Sequence, residues 1–475
     1  MASERKPGQM LINGEWRNGE ESFEVRSPFS GELLAEAASA GEGEFADAVA
    51  AAEAAARKMR ELPRFRIASG LRKISDAISE RADEFTRVIA LESAKPLIYA
   101  RGEVQRAVAT FAWAASEAER FAGDMVPLDT QPNGKGKTGF SFRVPRGVIY
   151  GITPFNFPLN LVAHKVAPAV ASGNSIIIKP SPRTPLTSLL LGEVFLGSGL
   201  PKEALQIVPM DVKHMDLVYS DDRIKMISFT GSDKVGWDLK AKAGKKAVAL
   251  ELGGNAPVIV DDTASIEDAV KKITVGAFAF SGQVCISVQR VLLNKRIADE
   301  FTDAFVERAK GLKKGDPLED STQLSVMIDE AAAKRSVEWV EEAVGSGAEL
   351  LCGNSRDGAM VDATVLTNAH SEMRVVKEEA FAPIAVIERY EDFEEAVDRA
   401  NRSKYGLQAG VFTKELGRAM YAARNLEYGG VIVNDVPTFR VDNMPYGGVK
   451  DSGFGREGLR YAMEEMSEIR LVSLE

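Results

Sequence analysis

From Val148 to Asp261, short β-branched runs alternate with longer amphipathic stretches. "VIYGIT" predicts a strand, and "FPLNLVAHKVAPAVASG" predicts a helix ended by Gly173. "SIIIKP" predicts a second strand. "TPLTSLLLGEVFLGSG" predicts a second helix, with Thr184 as N-cap and Pro185 at its first position. "LQIVPM", "IKMISF" and "KAVALEL" predict further strands. Strands alternating with helices imply a parallel, doubly wound sheet, which binds ligands beyond the carboxyl ends of its strands. Chemistry is therefore expected in the loops after Thr153, Lys179, Phe229 and Glu251.

Gly41 to Gly123 reads as mostly helical, rich in Ala, Glu and Arg, with apolar residues at helical spacing. Ser265 to Leu426 alternates again, with strands near "RVLLN", "APIAVIERY" and "QAGVFTK", and predicts a second α/β domain. The fold class expected is α/β, with two doubly wound domains. Two segments fit neither. "QPNGKGKTGFSFRVPRG" and "EMSEIRLVSLE" read as exposed β pieces of the kind that pairs with another subunit, or else as a local hairpin and a frayed tail. "GKGKTG" and "GFGREG" match the dinucleotide fingerprint in letters only. Neither has the strand–turn–helix setting, and both read as turns.

Composition narrows the partners. Hydrophobic residues make up 45% of 475, charged residues 27%, and the formal net charge is −10. The acidic balance argues against nucleic acid and anionic membrane. Two cysteines cannot form a disulfide framework, so a reducing cytosol is expected. "MASERKPGQM" lacks the apolar region of a secretory signal, and no apolar run is long enough for a membrane span. His164, His214 and His370 lie far apart, without partners at zinc-ligand spacing, so no metal is expected.

Five places carry candidate chemistry. Cys285 in "FSGQVCISVQR" stands where a helical pattern (Ala269 to Phe280) gives way to a strand pattern (Val288 to Leu293). A partly exposed thiol there suits a nucleophile, although most cysteines are inert small hydrophobes. Cys352 reads as structural, at a strand end. Glu251 ends the "KAVALEL" strand, where desolvation would raise its pKa and suit it to act as a base; a salt-bridged loop cap is the alternative. Asn156 in "TPFNFP" sits in a stiff loop and suits an oxyanion donor. "SFTGSDKVG" offers Ser232 and the N–H groups of a helix start to a pyrophosphate, with Gly236 allowing close helix packing. Lys179 at the end of "IIIKPS" suits a phosphate or ribose hydroxyl.

In combination, "TPFNFP", "IIIKPSPRTP", "FTGSDKVG", "LELGGNAP", "FSGQVC", "EEAFAPI" and "PYGGVKDSGFGREG" resemble the aldehyde dehydrogenase superfamily over nearly the whole chain. The resemblance implies a Cys285 nucleophile, a Glu251 general base, and an oxyanion hole made by Asn156 and the Cys285 N–H. It implies a nicotinamide dinucleotide held by Thr153, Phe155, Lys179, Ser181, Pro182, Gly231, Ser232, Leu252, Glu379 and Phe381. Lys179 would meet the adenosine ribose and Glu379 the nicotinamide ribose. It further implies a Rossmann-like dinucleotide-binding domain at 1–125 and 146–253, a catalytic domain at 254–446, and oligomerisation strands at 126–145 and 462–475 in a homodimer or homotetramer. The reaction implied is oxidation of an aldehyde through a Cys285 thiohemiacetal and thioester, hydrolysed by water.

One departure is informative. The family often has a glutamate at the position of Pro182, where it repels a 2′-phosphate. Its absence predicts that NADP is accepted, alone or beside NAD. Phe155 stands where many members have Trp. Arg440 in "VPTFRVDNMPYGG", with Phe439, lines the implied substrate mouth and suits a carboxylate, phosphate or sulfonate; the alternative is an arginine paired with Asp442 or another loop. His164 and Arg106 are weaker pocket candidates. The loop resembles that of branches oxidising succinic semialdehyde or lactaldehyde. Three rival readings remain open at this point. A CoA-acylating dehydrogenase is disfavoured by the presence of Glu251. A non-catalytic binding protein of the same fold is disfavoured by the intact trio. A cofactor-free thiol hydrolase is disfavoured because no histidine lies near Cys285 in sequence.

Overall fold

A computed structural model describes residues 8–475. Two large sheets carry the molecule. The first runs in the order Glu15–Arg17, Met10–Ile12, Leu205–Ile207, Ser175–Lys179, Val148–Ile152, Ile224–Thr230, Ala247–Glu251, Gly453–Phe454. Its five central strands pair in parallel. The chain winds outward from Val148–Ile152 in one direction through Ser175–Lys179 and Leu205–Ile207. It then winds in the other through Ile224–Thr230 and Ala247–Glu251, so the switch point lies between Val148–Ile152 and Ile224–Thr230. Both faces are covered, as parallel sheets require. Ile176 and Ile178 pack into a core with the helices Arg64–Glu80, Leu97–Arg120, Asn160–Ala171 and Leu186–Leu196. Ile177, one residue out of phase, packs on the opposite side with Tyr150, Phe229 and the helix Glu42–Glu61.

The second sheet runs Glu349–Cys352, Thr364–Thr367, Ile384–Tyr390, Val288–Asn294, Ala256–Val260, Gln408–Phe412, Gly430–Val433. It obeys the same rule: Val258 and Val260 face one core, Ile259 the other. Ala256–Val260 begins five residues after Glu251, so the carboxyl end of the first sheet feeds the amino end of the second. The site is built in that seam.

The predicted strands and helices of 148–252 form within a few residues of their expected ends. The cap at Thr184 does not. The helix Leu186–Leu196 has Pro185 at its N-cap, and its first N–H groups are taken by a distant carboxylate. Glu92 accepts from Leu186 N at 2.8 Å and Thr187 N at 2.9 Å. A carboxyl group whose two oxygens meet both N–H groups outcompetes a single hydroxyl at a helix N-terminus, and Thr184 Oγ1 instead reaches Phe155 O at 3.4 Å. "GKGKTG" spans the end of a 3₁₀ turn and the start of the strand Thr138–Pro145. "GFGREG" contains a two-residue strand that pairs antiparallel with Ala247–Glu251, which the turn reading had not anticipated. The two unplaced β segments pair with each other, from Ser467↔Pro145 to Leu474↔Thr138. Among the described residues no helix is long and apolar enough to cross a membrane.

Candidate active site

The helix Ile266–Phe278 ends in a turn that bends the chain sharply before Cys285. Phe280, Ser281 and Gly282 all take left-handed backbone angles (φ 50°, 55° and 68°). For the two non-glycine residues this costs about 1–2 kcal/mol each. Glycine is required at the third, where a Cβ would lie 2.0 Å from Ala382 O. Side chains hold the turn: Ser281 Oγ donates to Ser325 O at 2.6 Å, and Gln283 Oε1 accepts from Ile328 N at 2.9 Å. Strain of this kind persists only where the surroundings over-determine it. Its effect is to present Cys285, half-buried, at the amino end of Val288–Asn294.

Glu251 and Asn156 come to the same seam from the carboxyl ends of the first sheet. A Cβ on Gly254 would stand 2.6 Å from Cys285 O, so the segment leaving Glu251 passes directly against the cysteine. Asn156 Nδ2 donates to Gln283 O at 2.9 Å, which ties the "TPFNFP" loop to the Cys285 turn and leaves one N–H for another acceptor. The Glu251 carboxyl is 5% exposed and its Oε2 has no partner; Asn156 Oδ1 has none either. Burial, and then the charge of Glu457, push the Glu251 pKa well above the ordinary carboxylate value, with Arg440, Lys165 and Arg456 opposing. Burial pushes the Cys285 thiol up to about 11, offset in part by its hydrogen bond with Tyr446. That bond, 3.2 Å from Sγ to Oη, involves a residue the sequence reading passed over.

Behind Tyr446 lies a buried polar cluster. Arg440 stacks on the Tyr446 ring at 3.7 Å and donates to Glu457 Oε2 at 3.1 Å. Of the alternative pairings expected for Arg440, the one with Asp442 does not form and the one with another loop does, through Glu457. Asp442 is instead bonded to His164 at 2.7 Å and Arg106 at 2.8 Å, which outweigh burial and hold its pKa well below the usual carboxylate range. His164 lies 3.4 Å from Arg440, and burial together with that charge lowers its pKa against the pull of Asp442 and Glu457. Lys165 meets Glu457 at 3.5 Å and Ser228 at 3.0 Å. Phe439 is 44% exposed at the rim.

Most of the cofactor candidates follow the carboxyl ends of the first sheet's strands, while Glu379 and Phe381 come from the loop before Ile384–Tyr390. Thr153 is buried, its N–H on Lys179 O at 3.2 Å. Lys179 is 5% exposed, and burial lowers its pKa against the pull of Asp211. Ser181 is half-buried and Pro182 exposed. Gly231 N donates to Glu251 O, and Ser232 starts the helix Asp233–Lys242 without capping it by its side chain. Thr230 Oγ1 beside them is buried and unpartnered. Leu252 is buried against Gly236. Phe155 and Phe381 meet edge to face at 6.0 Å. Glu379 Oε1 accepts from Gly254 N at 3.0 Å, and burial raises its pKa to about 7. An uncapped helix start, an orphaned hydroxyl and a buried amine at the carboxyl ends of neighbouring strands of one sheet fit the phosphates and ribose hydroxyls of a dinucleotide.

A thiol, a carboxylate and an amide thus meet in the seam between the two α/β sheets. The model of the aldehyde dehydrogenase family matches residues 16–472, and the chain belongs to that family. It is 41% identical to 3-sulfolactaldehyde dehydrogenase of Priestia aryabhattai, over 98% of this chain and 97% of that one. It superposes with a TM-score of 0.97 and 41% identity on aldehyde dehydrogenase 21 from Physcomitrella patens in complex with the reaction product succinate, covering 99% of each chain. With the glyceraldehyde-3-phosphate dehydrogenase GapN of Methanocaldococcus jannaschii complexed with NADP, the TM-score is 0.92 at 38% identity, over 96% of this chain and 99% of that one. The protein is an NAD(P)-dependent dehydrogenase that oxidises an aldehyde to the acid.

Proposed function

We propose that this dehydrogenase acts on a short aldehyde with an anionic tail, bonded covalently at Cys285 and anchored by Arg440. The observation that carries the reading is a pair of buried donors without acceptors, Nε of Arg440 and Nε of Arg106. Leaving such a donor unmade costs about 1–3 kcal/mol, and more for a charged group, and an anionic tail supplies the acceptor. The geometry agrees, since each of the two guanidiniums is met by a single buried carboxylate, Arg440 by Glu457 at 3.1 Å and Arg106 by Asp442 at 2.8 Å, with its Nε left free. The names of the relatives given above mention a sulfonated aldehyde, the product succinate and a phosphorylated aldehyde, which supports the same class.

The chain's own groups then divide the work. The Cys285 thiolate adds to the aldehyde carbonyl and gives a thiohemiacetal. Its oxyanion meets the second Asn156 Nδ2–H and the Cys285 N–H. Thr230, Ser232, Lys179 and Glu379 would hold the dinucleotide, which supplies the hydride acceptor this chain lacks. Loss of hydride leaves a thioester on Cys285. Glu251 takes a proton from water as the water oxygen attacks, the acid departs, and the thiolate is restored. With no carboxylate at Pro182 to repel a 2′-phosphate, NADP is accepted.

The experiment is nicotinamide reduction with succinic semialdehyde, lactaldehyde, glyceraldehyde 3-phosphate and an uncharged aliphatic aldehyde, each with NAD and NADP. The anionic aldehydes are expected to be favoured, and Arg440→Ala to lower their kcat/KM by about a hundredfold. Equal rates on the uncharged aldehyde would return Arg440 to a structural role, and no turnover with NADP would defeat the Pro182 argument. The division into a dinucleotide domain, a catalytic domain and assembly strands, the homodimer or homotetramer, and a cytoplasmic location belong to the same reading. They are supported by the two sheets, by the exposed Ile469, Leu471 and Leu474 on an edge strand, and by two free cysteines.

A further inference from the structure

We infer that Tyr446 is a catalytic residue, whose hydroxyl donates a hydrogen bond to the Cys285 thiolate and so sets the reactivity of the sulfur; this rests on the nucleophile reading above. The phenol is 3% exposed, in a small apolar cluster with Ile286, Leu407, Val284 and Cys285. Phenylalanine would fill that cluster equally well and would spare the cost of desolvating a hydroxyl. The hydroxyl is what needs explaining. Among the described residues its hydrogen-bond partner is Cys285 Sγ, at 3.2 Å.

The ring is fixed from both sides. Arg440 covers one face at 3.7 Å. The Tyr446 backbone exchanges hydrogen bonds with Glu457, N to O at 3.0 Å and O from N at 2.7 Å, and Glu457 in turn holds Arg440. A cation over the ring draws electron density from it and makes the O–H a better donor. In the resting enzyme either atom can give the proton. Once the thiol has lost its proton to solvent, only tyrosine can donate, and a bond to an ionised acceptor is about twice as strong as a neutral one. Tyr446 keeps its own proton throughout, so the bond is lost only when sulfur forms its bond to carbon.

The test is alkylation of Cys285 by iodoacetamide across pH, followed on the Cys285 peptide by mass spectrometry, in the full-length protein and in Tyr446→Phe. The thiolate forms the C–S bond and iodide leaves, so the rate reports thiolate fraction and access. At pH 8 the variant is expected to react about tenfold more slowly, with the midpoint moved up by about one pH unit. The alkaline plateau, where the sulfur is ionised in both proteins, reports access alone. A repacked variant therefore betrays itself in the plateau, while the midpoint, read from the curve's shape, still decides. A midpoint that overlays the unsubstituted protein, or moves down, overturns the assignment. Failure of the nucleophile reading shows elsewhere, as aldehyde turnover surviving in Cys285→Ala.

Discussion

Two buried polar clusters flank the "TPFNFP" loop, and they differ in how fully they are satisfied. Behind it, Lys95 and Glu103 form an ion pair with both side chains at 0% exposure. Glu103 also accepts from Leu159 N at 2.9 Å and Asn160 N at 3.1 Å, while the Lys95 amine lies over the rings of Phe157 (3.7 Å) and Phe280 (4.6 Å). In front lie Asn156, Glu251, Arg440 and Arg106, each with a buried polar atom that has no partner. Partnered charges build the frame, because removing them from water is tolerable only when every lone pair and proton is met. Unpartnered ones mark where a ligand or transition state completes the bonding. The frame cluster also links the two arms of the site, since Phe157 follows Asn156 and Phe280 opens the turn before Cys285.

The largest expected effect breaks the frame. Lys95→Met leaves the Glu103 carboxylate buried without its cation, at a cost of about 3–5 kcal/mol of folding stability. Thermal or urea unfolding checks this. Adding Glu103→Gln, which removes the charge but keeps an acceptor for the Leu159 and Asn160 N–H groups, should restore most of the loss. A single variant within about 1 kcal/mol of the unsubstituted protein would mean that the two clusters are not different in kind.

Asn156→Ala acts on the other side. It removes one donor to the oxyanion and should lower kcat by about 10²–10³-fold. Its stability should fall only by about 1–2 kcal/mol, because the bond to Gln283 O is lost while a buried, unpartnered amide oxygen goes with it. Single-turnover rates and unfolding midpoints measured together sharpen the contrast. A large loss of stability with a small loss of rate would move Asn156 into the frame.

The alternation of strands and helices was legible because parallel strands buried on both faces read as β-branched runs, and the loops at their carboxyl ends pointed to Asn156, Lys179, Ser232 and Glu251. What escaped was long-range or brief. Glu92 caps a helix that begins 94 residues later, so no local pattern announces it. The hairpin Met10–Arg17 was missed although Asn13-Gly14, both at positive φ, is the two-residue turn that favours hairpins; its strands of three residues show too little alternation to register. Tyr446 was quoted only as a letter in a glycine-rich motif. Nothing near it in sequence tells that its hydroxyl faces Cys285, which lies 161 residues away.

The smallest effect sharpens the comparison through pH. Glu251 is raised, by burial first and by Glu457 second, and it works as a base only when ionised. The thioester-hydrolysis rate should therefore fall tenfold per pH unit below that raised pKa, with its acid limb well above the ordinary carboxylate range near 4.3. Glu457→Gln removes a neighbouring negative charge, so the limb should move to lower pH. Pre-steady-state acid release over a pH series measures this. Glu103→Gln, in the frame cluster, should leave the limb in place in whatever fraction folds. A limb that shifts with Glu103 and not with Glu457 would show that Glu251 answers to the frame rather than to the cluster around Arg440.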